Sequence, residues 1–121
     1  MENNSKAVRL RIYISSTDKL DNTLLSEFLV HQANRSGLAG ATALKGIMGF
    51  GASSIIHSYK FWEVSDKVPV VVEFVDEQDK VMAFFETIKP HLDKMRYGCL
   101  VTTELLNVLL YKTGEKKNVF S

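Results

Sequence analysis

GLAGATALKGIMGFGASSIIHSYKFWEVSDKVPVVVE, residues 37–73, decides the fold of this chain. Ala41–Met48 reads as one strand and Pro69–Val75 as another, with Pro69 where a strand tolerates proline, at its start. Ile55–Val64 is also β-prone and carries Tyr59, Phe61 and Trp62. Between the first two stretches lie Gly49, Phe50, Gly51, Ala52, Ser53 and Ser54. Glycines in such a loop are expected where the backbone needs positive φ or a close approach. Val70, Val72 and Phe74 fall on one side of the strand after Pro69. Val71, Glu73 and Val75 fall on the other.

Working outward, Val8, Leu10, Ile12 and Ile14 alternate with Arg9, Arg11 and Tyr13, the period of a strand. Leu24, Leu25, Phe28, Leu29 and Ala33 recur at helical spacing, with Asn22 or Thr23 as the expected cap and Gly37 as the expected C′ residue. Asp76 is expected to cap a second helix, with Asp79 at N3. Its apolar face reads Val81, Met82, Phe84, Phe85, Ile88 and Leu92. Pro90 is expected to kink or shorten this helix, and Gly98 to end the segment. Cys99–Tyr111 reads as a long last strand, and Lys112–Ser121 as a polar, mobile tail.

The order is β-α-β-β-α-β, an α+β ferredoxin-like arrangement with both helices on one face of an antiparallel sheet. The second face is not plainly polar, because the third strand is apolar on both sides and so is the last one after Glu104. Exposed apolar faces of this kind mark interfaces, so an oligomer is expected. Arg9 and Arg11 are expected to pair with Glu73 or Glu104 on that face.

The 121 residues suggest one domain spanning 1–121, with a core over about 8–111. Fifteen Lys and Arg against fourteen Asp and Glu leave a net charge of +1, which supports neither nucleic-acid binding nor attraction to an anionic membrane. Cys99 is the only cysteine, so no internal disulfide is available. With its polar start MENNSK no signal peptide is expected, and no apolar run reaches the ~20 residues needed to span a bilayer. A cytoplasmic protein without membrane insertion is expected.

The Gly49–Gly51 pair lacks the third glycine of a dinucleotide fingerprint, and no helix pattern follows it. No G-K-[ST] closes a phosphate loop either. Two readings stand: a turn that re-aims a hairpin, or a nest of backbone N–H groups for an anion. Lys45, Lys60 and Arg96 are the cations best placed to meet such an anion, with His57 as a hydrogen-bonding neighbour. His31, His57 and His91 are too dispersed for the short ligand spacings of a zinc site, so no metal or other cofactor is expected. Ser53 or Ser54 with His57 lacks a G-x-S-x-G elbow and a third partner, so the chain does not read as an enzyme.

The phrase GLAGAT-x-x-x-GI-x-GFGASS-x-IH, with LRIYIS before it and PVVVEFVDE and GCLVT after it, resembles the PII-like proteins of the uncharacterised family typed by a GxxGFGA loop. The match runs from about Val8 to Tyr111. The resemblance implies kinship with PII signal-transduction proteins and, in fold, with CutA-type proteins. It also implies a homotrimer with small ligands, such as ATP, ADP or AMP, in clefts between subunits. The effector loop would be Gly49–Lys67, with the cleft base at Lys45, Gly46 and Gly49. The ligand-binding set so implied is Lys45, Gly46, Gly49, Phe50, Gly51, Ser53, Ser54, His57, Lys60 and Arg96. Typical PII proteins carry TGxxGDGKI before the last strand, whereas Lys94-Met95-Arg96-Tyr97-Gly98 stands here. The expected function is ligand-responsive regulation of a transporter or enzyme. A CutA-like metal or stress-tolerance trimer and a small enzyme are the rivals.

Overall fold

The structure is a computed structural model and describes residues 1–51, 55–58 and 67–115. Strand β1 (Ser5–Ser15) leads through two short strands, β2 (Lys19–Leu20) and β3 (Thr23–Leu24), into helix α1 (Leu25–Arg35). Strands β4 (Ala41–Lys45), β5 (Met48–Gly49) and β6 (His57–Ser58) follow. Strand β7 (Pro69–Asp76), helix α2 (Gln78–Lys94) and strand β8 (Leu100–Val108) complete the order.

The main sheet is antiparallel in the order β4-β7-β1-β8, so the two central strands are β7 and β1. This is the ferredoxin-like βαββαβ topology expected from the sequence. Alternation sets which side chains meet the helices. Leu10 pairs with Phe74 and Ile12 with Val72, and all four are buried. They pack against Leu25, Leu29 and Ala33 of α1 and against Val81, Phe84, Ile88 and Leu92 of α2. The Phe74 and Phe84 rings meet at 4.8 Å in a tilted pair.

The second face is crossed by rows that follow the register. Leu44, Val71, Tyr13 and Leu100 stand side by side across all four strands. The next row is Thr42, Glu73, Arg11 and Thr102, and the one after joins Val75, Arg9 and Glu104. Both expected ion pairs form: Arg11 Nε donates to Glu73 Oε1 at 2.7 Å, and Arg9 pairs with Glu104. The Glu73 carboxylate pushes the Arg11 pKa up, chiefly through that hydrogen bond.

Element ends depart from the sequence reading for identifiable reasons. The second strand stops at Lys45 rather than Met48, and Gly46 N–H turns to Pro69 O at 2.7 Å. The last strand ends at Val108, which pairs with Ser5 where β1 begins; beyond it Tyr111 N–H donates to the Asn3 side chain at 2.7 Å instead of continuing the ladder. Neither Asn22 nor Thr23 caps α1. Its N-cap is Leu24, and the Asp18 carbonyl instead accepts the Leu25 N–H at 2.8 Å. Gly37 does take a left-handed φ of 78°, as a C′ glycine should. The cap of α2 is Glu77, with no side-chain cap bond. Asp76 is buried at the end of β7 and accepts from Glu77 N at 2.7 Å and Ala39 N at 2.9 Å. It thereby ties the loop after α1 to the start of α2. Helix α2 runs past Pro90 to Lys94, and Met82, expected on its apolar face, is 38% exposed.

Candidate functional site: the loop base and the end of the sheet

Strand β4 ends, and β8 begins, at the same end of the sheet, since Lys45 pairs with Val70 and Leu100 with Tyr13. Gly46 follows β4 directly, and its amide bond to Pro69 pins the chain beside the first residue of β7. A Cβ built on Gly46 would sit 3.4 Å from Pro69 Cβ, and one on Gly49 only 3.0 Å from Pro69 Cγ. Gly49 therefore serves close approach to proline and not positive φ, whereas a side chain at Gly46 would meet Pro69 at ordinary contact distance. Gly49 pairs with His57 and Met48 with Ser58, so β5 and β6 form a small antiparallel pairing.

Gly51 has no positive φ, and among the described residues nothing lies within 4 Å of a Cβ placed there. Phe50 is 69% exposed, and Ile47, Met48, Ile55 and Ile56 are exposed with it. Lys45 is exposed at the end of its strand. Ser53, Ser54 and Lys60 lie outside the described residues, as do Tyr59, Phe61 and Trp62, and His57 is described only through its backbone pairing.

Arg96 is not beside the other sequence-chosen residues. It precedes β8, at the edge opposite β4, and the two edges are three strand spacings apart, about 14 Å. Its guanidinium lies 4.7 Å from the centroid of the Tyr97 ring, and its Nη2 donates to Tyr97 Oη at 3.3 Å. Together with Lys19, Asp21, His91, Lys94 and Tyr97, it lines a shallow groove of about 390 Å³. Sequence reasoning missed Pro69 as the anchor of the loop base, although its position after a β-prone run was visible. It also missed Lys19 and Lys94, whose proximity exists only in the folded chain.

The neighbouring Cys99 is exposed, and its thiol pKa is raised by desolvation and by the charges of Asp18 and Asp93, which disfavours a reactive thiolate. Among the described residues no group of three His, Cys, Asp or Glu side chains could hold a metal ion, and no helix is long and apolar enough to cross a membrane.

The fold is that of PII-like proteins. The chain superposes on CPII, a nitrogen regulatory PII-like protein from Thiomonas intermedia K12 bound to ADP, AMP and bicarbonate, with a TM-score of 0.64. That match has 16% identity and covers 86% of this chain and 89% of the other. A PII-like protein from Thermus thermophilus matches with a TM-score of 0.58 and 16% identity, over 86% of this chain and 90% of its own. The chain itself belongs to the DUF190 family (Uncharacterized ACR, COG1993), whose model matches residues 7–108. A UPF0166 protein of Aquifex aeolicus (strain VF5) is 32% identical over 100 residues, 83% of this chain and 90% of that protein.

Proposed function

We propose that this chain is a PII-like regulatory protein that binds a small anionic ligand at the base of the 49–67 loop. The observation that carries this reading is the loop base itself. Two glycines packed on Pro69, with Lys45 beside them, form a fixed platform under an exposed hairpin. A ligand seated there would bias the loop, and ordering of a segment by a ligand is an established kind of switch. An adenine nucleotide is the first ligand to test, since CPII, which shares the fold, holds ADP and AMP.

The working assembly is a homotrimer, a cytoplasmic body of one domain per chain without enzymatic activity of its own. Its uncovered sheet face supports this. Leu44 is 50% exposed and Leu100 58%, and both flank Tyr13 and Val71 in one row. Leu105, Leu109 and Leu110 are more exposed still. Arg9 Nε is buried without a hydrogen-bond partner among the described residues, a donor that a neighbouring chain could satisfy. In such an assembly Arg96 of one chain could face the loop base of the next, bringing together cations that one chain keeps on opposite edges. The exposed loop side chains would then contact a regulated transporter or enzyme.

Calorimetry with ATP, ADP and AMP tests the reading. Binding that Lys45→Ala weakens by about 1–3 kcal/mol supports it, as expected for loss of a charge-assisted hydrogen bond. No binding of any of the three at millimolar concentration excludes the nucleotide version.

A further inference from the structure

We infer that the turn Ser15–Asp18 is a joint that fastens the exit of the 49–67 loop and links it to the start of α1. The ladder between β1 and β7 runs from Val8 opposite Asp76 to Ser15 opposite Pro69. Pro69 has no N–H to give, and the pairing is secured one step further out. There Ser16 N–H donates to Val68 O at 2.9 Å, and Val68 N–H donates to the Ser16 hydroxyl at 3.1 Å. Half of this closing rung is therefore a side chain.

The two legs of the loop are fastened by different chemistry. At the entry, Gly46 N–H donates to Pro69 O, a bond between backbone groups. At the exit, Val68 N–H relies on one hydroxyl. Both fastenings fall on the pair of residues that leads into β7.

A buried carboxylate places that hydroxyl. Asp18 is 2% exposed. Its Oδ2 accepts from Ser15 N–H at 3.0 Å, and its own N–H donates to Ser15 O at 3.2 Å, which closes the turn around Ser16. Burying a carboxylate is costly unless hydrogen bonds answer it, and the turn supplies one. The Asp18 carbonyl accepts from Leu25 N–H at 2.8 Å. Leu25 is the fully buried first residue of α1, a helix with no side-chain cap bond at its N-terminus. One turn thus holds the loop exit through Val68, the end of β1 through Ser15 and the first amide of α1.

The use of this joint rests on the loop-base reading: a ligand seated at Lys45 and Gly46 acts beside Pro69, and the joint presents the resulting shift at Leu25. The joint itself is complete in the ligand-free chain, so its test needs no ligand. Failure of nucleotide binding would end the loop-base reading and leave the joint standing.

Amide hydrogen exchange followed by NMR on the full, ligand-free chain tests it, with Ser16→Ala, Ser16→Thr, Asp18→Ala and the double variant Ser16→Ala/Asp18→Ala, each checked for folding by circular dichroism. Ser16→Ala should speed exchange at Val68 about fivefold or more and at Leu25 about twofold or more, with Ile12 and Val72 unchanged. Ser16→Thr keeps the hydroxyl and should restore both rates. Asp18→Ala should speed Val68 by way of Ser16. The double variant should then exchange at Val68 no faster than Ser16→Ala alone, because the clasp is already gone. Four results would overturn the joint: a wild-type rate at Val68 in Ser16→Ala; a wild-type rate at Leu25 in the same variant; equal acceleration of Ile12 and Val72, which would make the effect global; or a double variant whose Val68 rate is the product of the two single effects. Should Asp18→Ala not fold, the Val68 and Leu25 rates in Ser16→Ala and Ser16→Thr decide the matter alone.

Discussion

The two faces of the same sheet are built from alternate residues of the same strands, yet they have opposite fates. On the helix side of β7, Val70, Val72 and Phe74 are sealed under α1 and α2. One residue away, Val71, Glu73 and Val75 are only partly covered, by their neighbours in the sheet. Val72 and Val71 are chemically identical, and the difference between them is what the rest of the molecule lays over each. Burial that a single chain completes stabilises the fold. Burial that it leaves incomplete is available for association, and the register arranges it as an apolar row beside two charged ones.

The harshest way to break this contrast is to put the same charge on each face. Val72→Asp leaves an unpaired carboxylate in the core and should prevent folding, seen as loss of the circular dichroism signal at ambient temperature. Val71→Asp should fold but fail to assemble. Light scattering should then fall from three times the chain mass to one, if the proposed trimer covers this face. A Val71→Asp protein that keeps a trimeric mass would place the interface elsewhere. A gentler probe of the sealed face is Phe74→Ala, which removes a fully buried ring stacked near Phe84 and should cost about 3–5 kcal/mol in urea denaturation.

The next contrast lies in the loop base. Gly49→Ala forces Pro69 Cγ to give way and should cost on the order of 1 kcal/mol, and it should also loosen the hairpin in hydrogen exchange at Met48 and Ser58. Gly51→Ala meets nothing and should be neutral, or stabilising by about 0.4–1 kcal/mol through the unfolded state. Equal effects of the two substitutions would remove Pro69 as the reason for the glycine. The smallest effect belongs to the ion pairs. A double-mutant cycle on Arg11 and Glu73 should give only a small coupling in the isolated chain, falling with salt, because both side chains remain partly open to water. A much larger, salt-resistant coupling would indicate that assembly covers them.

The sequence was most readable where one period runs unbroken. The alternation of β1 and β7 identified the core residues and also set Arg9 and Arg11 opposite Glu104 and Glu73. It failed where geometry is made by the fold. The pairing of Lys19–Leu20 with Thr23–Leu24 is too short to show a period, so the wall it gives the groove was invisible. The capping differences come from contacts that the fold makes. The Asp18 carbonyl takes the Leu25 amide, and the Asp76 carboxylate is drawn to Ala39 and Glu77. Among the candidate site residues, Lys45, Gly46 and Gly49 are brought to one place and Arg96 to another, because strand order, which separates β4 from β8, is a long-range property. Gly51 looked like its neighbour Gly49, and only the position of Pro69 tells them apart.

The seat of Gly46 and Gly49 on Pro69 has a mechanical meaning. Pro69 opens β7, and the very next residue, Val70, is already part of the core. The base of the hairpin therefore rests on a proline ring one peptide unit from the core. A ligand that shifted the β5–β6 pairing would act next to Val70 and not at the far end of a tether.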